Sequence, residues 1–317
     1  MSSQSLNAAI VSLALGVSAC AGDIHPTVSP PVAQSRMAEL WEKPADISAR
    51  DLLNGPWGAA YAPVPNDDYT FLRKKRHGAN PGVTVNDSQG REWHIKQGVE
   101  AQPEVVLSHV LSAIGYRQPP VYFLPSFTLN DESGRHTERG GRFRLHDSSL
   151  KNRGEWSWDR NPFVGTPPYQ GLLVILVMFN SADLKNENNT VYEVKTQHEA
   201  TVNWFVVRDL GSSLGEVGRF NPKENKPDAF EQLGFITGLS SGFVKFDYHA
   251  VHRDLVEHRI RPEDVVWASR LLAALTDKQW HDAFASAEYT PVVADRFIRK
   301  LHQKIEEGQR LGTEKVQ

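Results

Sequence analysis

The chain has 317 residues, a formal net charge of -3, and 40% hydrophobic and 23% charged residues. That length can bury a substantial core as one large domain or two lobes, and the near-neutral balance offers no basic footprint for a nucleic-acid partner. The single cysteine, Cys20, excludes an intrachain disulfide and any cysteine-rich zinc site.

At the N-terminus, Ala8 to Gly16 is small and apolar, and Val17-Ser18-Ala19-Cys20 matches a bacterial lipoprotein cleavage box. On this reading residues 1–19 are a signal peptide and Cys20 is the lipidated first residue of an exported, membrane-anchored protein of the cell envelope. Met1 to Asn7 holds no Lys or Arg, so cleavage as an ordinary signal peptide, or a misplaced start and a cytoplasmic location, stays open. Gly22 to Asp46 is rich in Pro, Ser and Ala, and residues 20–50 are expected to be a flexible tether. No other run reaches the ~20 apolar residues of a membrane-spanning helix.

The folded part is expected over 51–312, followed by a tail at 313–317. Strands are predicted at Tyr69–Leu72, Val83–Val85 and Arg91–Lys96, with a basic glycine turn between the first two. A helix follows with Pro103 at its first position, Val106, Leu107, Val110, Leu111 and Ile114 at helical spacing, and Gly115 closing it. Pro119-Pro120 forces an extended entry into a strand at Val121–Leu124. Residues 130–166 have weak periodicity, with one strand at Gly141–Leu145. Trp156 and Trp158 read as buried packing more readily than as a ligand cleft. Tyr169–Phe179 reads as a buried helix.

Two acidic clusters come next, Asp183-Leu184-Lys185-Asn186-Glu187-Asn188 and Asp209-Leu210-Gly211, with a β-hairpin predicted between them. Helices are expected at Asp228–Leu239, Pro262–Leu275, Asp277–Ala287 and Pro291–Glu307, the last with Thr290 as N-cap. The fold class is therefore α+β in two lobes, a strand-rich N-lobe over about 51–130 and a helical C-lobe over about 155–312.

Taken singly, each motif has an ordinary structural explanation. Lys96 could end a strand at the surface, and Glu104 could favour the first turn of a helix through its dipole. Either acidic cluster could be only a polar turn. Their joint order is more specific: a glycine turn at Gly78 and Gly82, Lys96, Glu104 with Glu100 as fallback, D-L-K-x-x-N, then D-x-G. In this order the chain resembles the protein-kinase-like superfamily, and most of all its atypical branch of HipA-type, phosphatidylinositol and secreted casein-type kinases.

The resemblance spans roughly residues 69–300 and implies a two-lobed fold that binds ATP and Mg²⁺. It implies that Lys96 contacts the α/β-phosphates and pairs with Glu104, that Asp183 is the catalytic base, and that Lys185 steadies the moving phosphoryl group. Asn188 and Asp209 would be the metal ligands. The chain departs from ordinary protein kinases in Ser181-Ala182, in Asp209-Leu210-Gly211 and in lacking an A-P-E motif. The acceptor is left unknown. A membrane-tethered pseudokinase and a ligand-binding lipoprotein without catalysis stay open, the more so because export would separate the domain from a standing ATP pool.

His252-Arg253-Asp254-Leu255 spells a kinase catalytic-loop signature more literally, but no asparagine, hairpin or D-x-G follows at the required spacing. It is read as an exposed polar stretch, and Asp247, His249 and His252 as a solvated turn rather than a metal cluster.

Overall fold

Alternation decides the first half of the chain. A computed structural model describes residues 34–74, 80–195, 200–216 and 224–313. After a short helix α1 (Gln34–Met37), strands β1 (Asp68–Lys74), β2 (Gly82–Asn86) and β3 (Glu92–Gln97) form an antiparallel meander. Helix α2 (Ala101–Ala113) follows, then the long hairpin β4 (Val121–Asp131) and β5 (Gly134–Leu145). The strand order is β1-β2-β3-β5-β4, and parallel pairing of β1 with β4 closes it into a barrel. Trp93, Ile95, Phe127 and Phe143 fill its interior with Tyr69 and Val85. Side chains alternate across a strand, so Lys96, His94, Arg142 and Arg144 lie on the other face, paired in register as Lys96–Arg142 and His94–Arg144.

A small sheet carries the acidic clusters. Strand β6 (Leu150–Asn152) pairs with β7 (Asn189–Lys195), which pairs with β8 (Thr201–Val207). Before it runs α3 (Pro167–Met178), apolar all round and buried from Pro168 to Met178, as a central helix must be. At its C-terminus the N–H groups of Phe179, Asn180 and Ser181 serve the carbonyls of Ile175, Val177 and Leu176, and Lys304 Nζ donates to Met178 O at 2.9 Å. The rest of the C-lobe is α4 (Pro227–Gln232), the hairpin β9 (Ile236–Ser240) and β10 (Phe243–Phe246), and helices α5 (Pro262–Leu272), α6 (Asp277–Ala285) and α7 (Pro291–Arg310). Trp156 and Trp158 are buried in this lobe, as expected.

Four expectations need correction. The helix predicted over Asp228–Leu239 stops at Gln232, because Ile236 to Phe246 forms a hairpin whose tip, Ser241-Gly242, has both residues at positive φ. The N-lobe runs past residue 130: β4 and β5 extend far beyond their predicted cores, and the barrel ends at Leu145. The polar outer half of β5, Gly134 to Gly140, hides the alternation. Helix α2 begins at Ala101, two residues before Pro103.

The fourth concerns the tether, which does not reach residue 50. Leu40 is buried, and Trp41 Nε1 donates to Ile114 O at 2.8 Å, so this segment is docked against the end of α2.

Candidate functional site

The β3–α2 junction builds the first half of the site. Lys96 stands one residue before the end of β3, only 3% exposed at its side chain, and α2 starts a few residues later, so its first turn returns over the strand. Lys96 Nζ lies 2.5 Å from Glu100 and 3.2 Å from Glu104. Both the predicted partner and its fallback are engaged. Glu104 is itself the hub of a buried cluster, with Arg142 at 3.0 Å and Arg144 at 2.6 Å. A carboxylate buried this deeply would normally be pushed toward its neutral form. The charges of Arg142, Lys96 and Arg144 overcome that burial and hold Glu104 well below the usual carboxylate range. The three carboxylates around Lys96 likewise outweigh its burial and raise its pKa.

The β7–β8 hairpin builds the second half. Pairing of Asn189 with Val207 sets Asn188 beside Arg208, whose backbone N–H donates to Asn188 O at 3.0 Å. The two loops are stitched further by Ala182 N–H to Ser212 O and by Leu214 N–H to Phe179 O, each at 2.9 Å. Tyr248 Oη, from beyond β10, donates to Ser181 O at 2.5 Å and fixes the start of the Asp183 loop. Asn188 Nδ2 donates to Asp183 O at 2.7 Å and to its Oδ2 at 3.2 Å, and Lys185 pairs with Asp183 at 2.7 Å. The hydrogen bond to Asp183, joined by the charge of Asp209, raises the Lys185 pKa.

Asp209 joins the halves. It sits at φ 55°, a left-handed conformation that aspartate adopts more readily than most residues, and Lys96 Nζ donates to its Oδ1. Gly211 is required by close approach. A Cβ there would lie 2.4 Å from Glu100 O and 2.5 Å from Glu100 Cβ. The D-x-G glycine thus lets this loop sit against the start of α2.

Lys96, Asn188 and Asp209 line one cleft of about 600 Å³ between the lobes, roofed by Val83, Thr84 and Ile95. Asp183 and Lys185 stand beside it through Asn188, and Gly82 lies behind Lys96, its register partner. Gly78 and Cys20 lie outside the described residues. Asn186 has a structural task instead, its Oδ1 accepting from Trp158 N–H at 2.9 Å. Arg253 and Asp254 are exposed in a single 3₁₀ turn, as expected, whereas His252 is half-buried and Leu255 is buried. His249 only pairs with Asp247 at 2.9 Å.

The sequence reading missed Arg142, Arg144, Arg208 and Tyr248. Arg142 and Arg144 had a signal in the alternation of Gly141-Arg142-Phe143-Arg144-Leu145, which puts two arginines on the face of Lys96. Arg208 and Tyr248 had none.

A five-stranded lobe with one helix inserted after its third strand, a helical lobe, and a lysine–glutamate pair facing an Asp-x-Gly loop together define a two-lobed protein-kinase-like fold. No protein-family model and no curated protein matches the chain. Solved structures similar to it include the proinflammatory kinase CtkA of Helicobacter pylori, at 11% identity and TM-score 0.45, covering 79% of this chain and 99% of that one. Others are the Rio2 kinase of Chaetomium thermophilum in an ADP/Mg²⁺-phosphoaspartate complex (12%, TM-score 0.28, 76% and 72%) and the MAP kinase LmaMPK10 of Leishmania major (10%, TM-score 0.21, 76% and 94%). The fold is carried by the element order and the interlobe cleft.

Proposed function

We propose that the chain is an atypical kinase-like phosphotransferase that binds ATP and Mg²⁺ between its lobes and moves the γ-phosphate to an acceptor hydroxyl. The observation that carries this reading is the convergence of Lys96, Asn188 and Asp209 on one cleft, with Asp183 and Lys185 tied to its edge. The donor set suits Mg²⁺, a hard cation that takes oxygen ligands. Among the described residues Asn188 spends its Nδ2 on Asp183 and keeps its Oδ1, and Asp209 keeps the oxygen not bonded to Lys96. Mg²⁺ held there would offset charge on the phosphates.

The chain's own residues supply positioning and proton transfer. Lys96 holds a phosphate oxygen and is itself oriented by Glu104 and Glu100. Asp183 receives the proton of the attacking hydroxyl, and Lys185 balances charge on the group in transit. Attachment to a membrane through Cys20 belongs to the same proposal and is supported by the Val17-Ser18-Ala19-Cys20 box. Fatty-acid labelling that disappears in Cys20→Ser would support it, and labelling that persists would remove it.

One observation favours a pseudokinase as the second reading. Lys96 is bound to Asp209, which takes up one of the two carboxylate oxygens a metal would use. The readings separate in two measurements. Mg²⁺-dependent thermal stabilisation by ATP is expected on either, since a ligand that binds the native state stabilises it. Phosphate transfer that vanishes in Asp183→Asn while that stabilisation remains supports the enzyme. Stabilisation without transfer in the parent chain supports the pseudokinase, and neither effect removes both.

A further inference from the structure

Behind the main cleft lies a second cavity of about 400 Å³ that shares His94, Arg144 and Arg208 with it and adds His146, Lys151 and Tyr192. The charges of the buried cluster between the two spaces do not balance. Lys96 is matched to Glu100, Glu104 and Asp209, and Arg142 and Arg144 both turn to Glu104. In that cluster Arg208 is the cation left over: among the described residues it forms no ion pair, and Asp147, a carboxylate that also lines the second cavity, accepts from Ser149 N–H at 2.7 Å. The one side-chain hydrogen bond of Arg208 among the described residues is a long one, Nη1 to Tyr192 Oη at 3.3 Å, and its buried Nε has no acceptor there. The Nε of Arg144 has none either. A guanidinium taken out of water without a counter-charge is costly, and its planar fork matches the two oxygens of a carboxylate or phosphate.

We propose that Arg208, with Arg144 beside it, forms an oxyanion site in this second cavity, which takes the phosphate or carboxylate end of a small ligand. The surrounding field agrees. Burial, followed by the positive charge of Arg144, pushes His94 down to about 4, the direction expected where cations dominate the field. A cation fits less well. Glu92, His94 and His146 bring ligand atoms within 4.8 Å of one another, but Glu92 is already paired with Arg73 at 2.7 Å, and Arg144 adds positive charge at His94. The site goes beyond the phosphotransferase reading and stands without it. Because Arg208 directly precedes Asp209, a ligand held here would share a wall with the phosphoryl site.

Calorimetric titration of the full chain with inorganic phosphate and, separately, with succinate tests the proposal and tells a phosphate from a carboxylate source. At least one probe is expected to bind the parent chain saturably at up to millimolar concentration, more weakly as salt is raised. Arg208→Gln is expected to weaken that binding by about tenfold or more. Should this variant fail to fold, Arg208→Lys keeps the charge without the fork and is expected to bind severalfold more weakly than the parent. Undiminished binding in the folded variant, or no saturable binding of either probe, overturns the site. Loss of Mg²⁺-ATP stabilisation with phosphate or succinate binding kept would instead remove the nucleotide reading and leave this one.

Discussion

Lys96 and Asp209, 113 residues apart in the chain, are joined by a hydrogen bond across the cleft between the lobes. One residue stands near the end of a barrel strand and the other follows the β7–β8 hairpin, so the contact exists only when both lobes are assembled. Lys96 is therefore structural as well as chemical. Removing one partner of a buried ion pair leaves its neighbours uncompensated, at a cost of about 3 kcal/mol or more. Lys96→Met is expected to lower the urea midpoint accordingly and to abolish Mg²⁺-ATP stabilisation. A variant that unfolds at the parent's midpoint would show that the cluster contributes nothing.

Glu104 gives the fold an acid-sensitive point. Its folded pKa lies below the unfolded value of 4.5, so the unfolded chain binds the proton first as pH falls. The contribution of Glu104 is whole above about pH 4.5 and declines as pH drops toward the folded pKa. In Glu104→Gln, Lys96, Arg142 and Arg144 face an uncharged amide. We expect a loss of about 3 kcal/mol at neutral pH and a shallower decline of stability below pH 4.5 than in the parent, read from denaturation at stepped pH.

Gly211→Ala tests the close approach of the Asp209 loop to α2. A Cβ 2.4 Å from Glu100 O must push backbone aside, and overpacking of this kind costs about 1–3 kcal/mol. The same displacement would move Glu100 and Asp209 relative to Lys96. Mg²⁺-ATP stabilisation is therefore expected to fall along with the melting temperature, whereas a stability loss with the ligand response intact would confine the effect to packing.

Lys304 is the opposite case to Glu104. Burial pushes this lysine down to about 7, although it donates to Met178 O and lies 4.5 Å from the Phe230 ring centroid. Between pH 7 and 10 the unfolded chain holds a proton that the folded chain has released, so stability rises with pH across that window. Lys304→Met is expected to flatten this rise. It should also be neutral or stabilising by about 1–4 kcal/mol at pH 7, as for other buried charges replaced by apolar groups of similar size. A variant whose stability follows the parent's pH dependence would place the titration elsewhere.

Much of the site was legible before folding because chemistry limits which residue types serve phosphoryl transfer, and local rules limit where they stand. Strand alternation placed Lys96 near the end of β3, helix signals placed Glu104 in the first turn of α2, and an apolar run predicted the hairpin that separates Asp183 from Asp209. The same rules failed at Asp228–Leu239, where a helical pattern gave way to the β9–β10 hairpin, and at β5, whose outer half from Gly134 to Gly140 carries no apolar side chain.

By itself, the sequence determined the α+β order of elements, the buried α3 and the residue types of the site, since each rests on spacing within one segment. Only the tertiary structure decided that Glu104 gathers three cations, that Asp209 bonds Lys96, and that Arg208 forms no ion pair among the described residues. Charge balance in a buried cluster depends on which strands and loops meet there. That is set by barrel closure and by the close approach of the Asp209–Gly211 loop to the start of α2, and no single segment carries it.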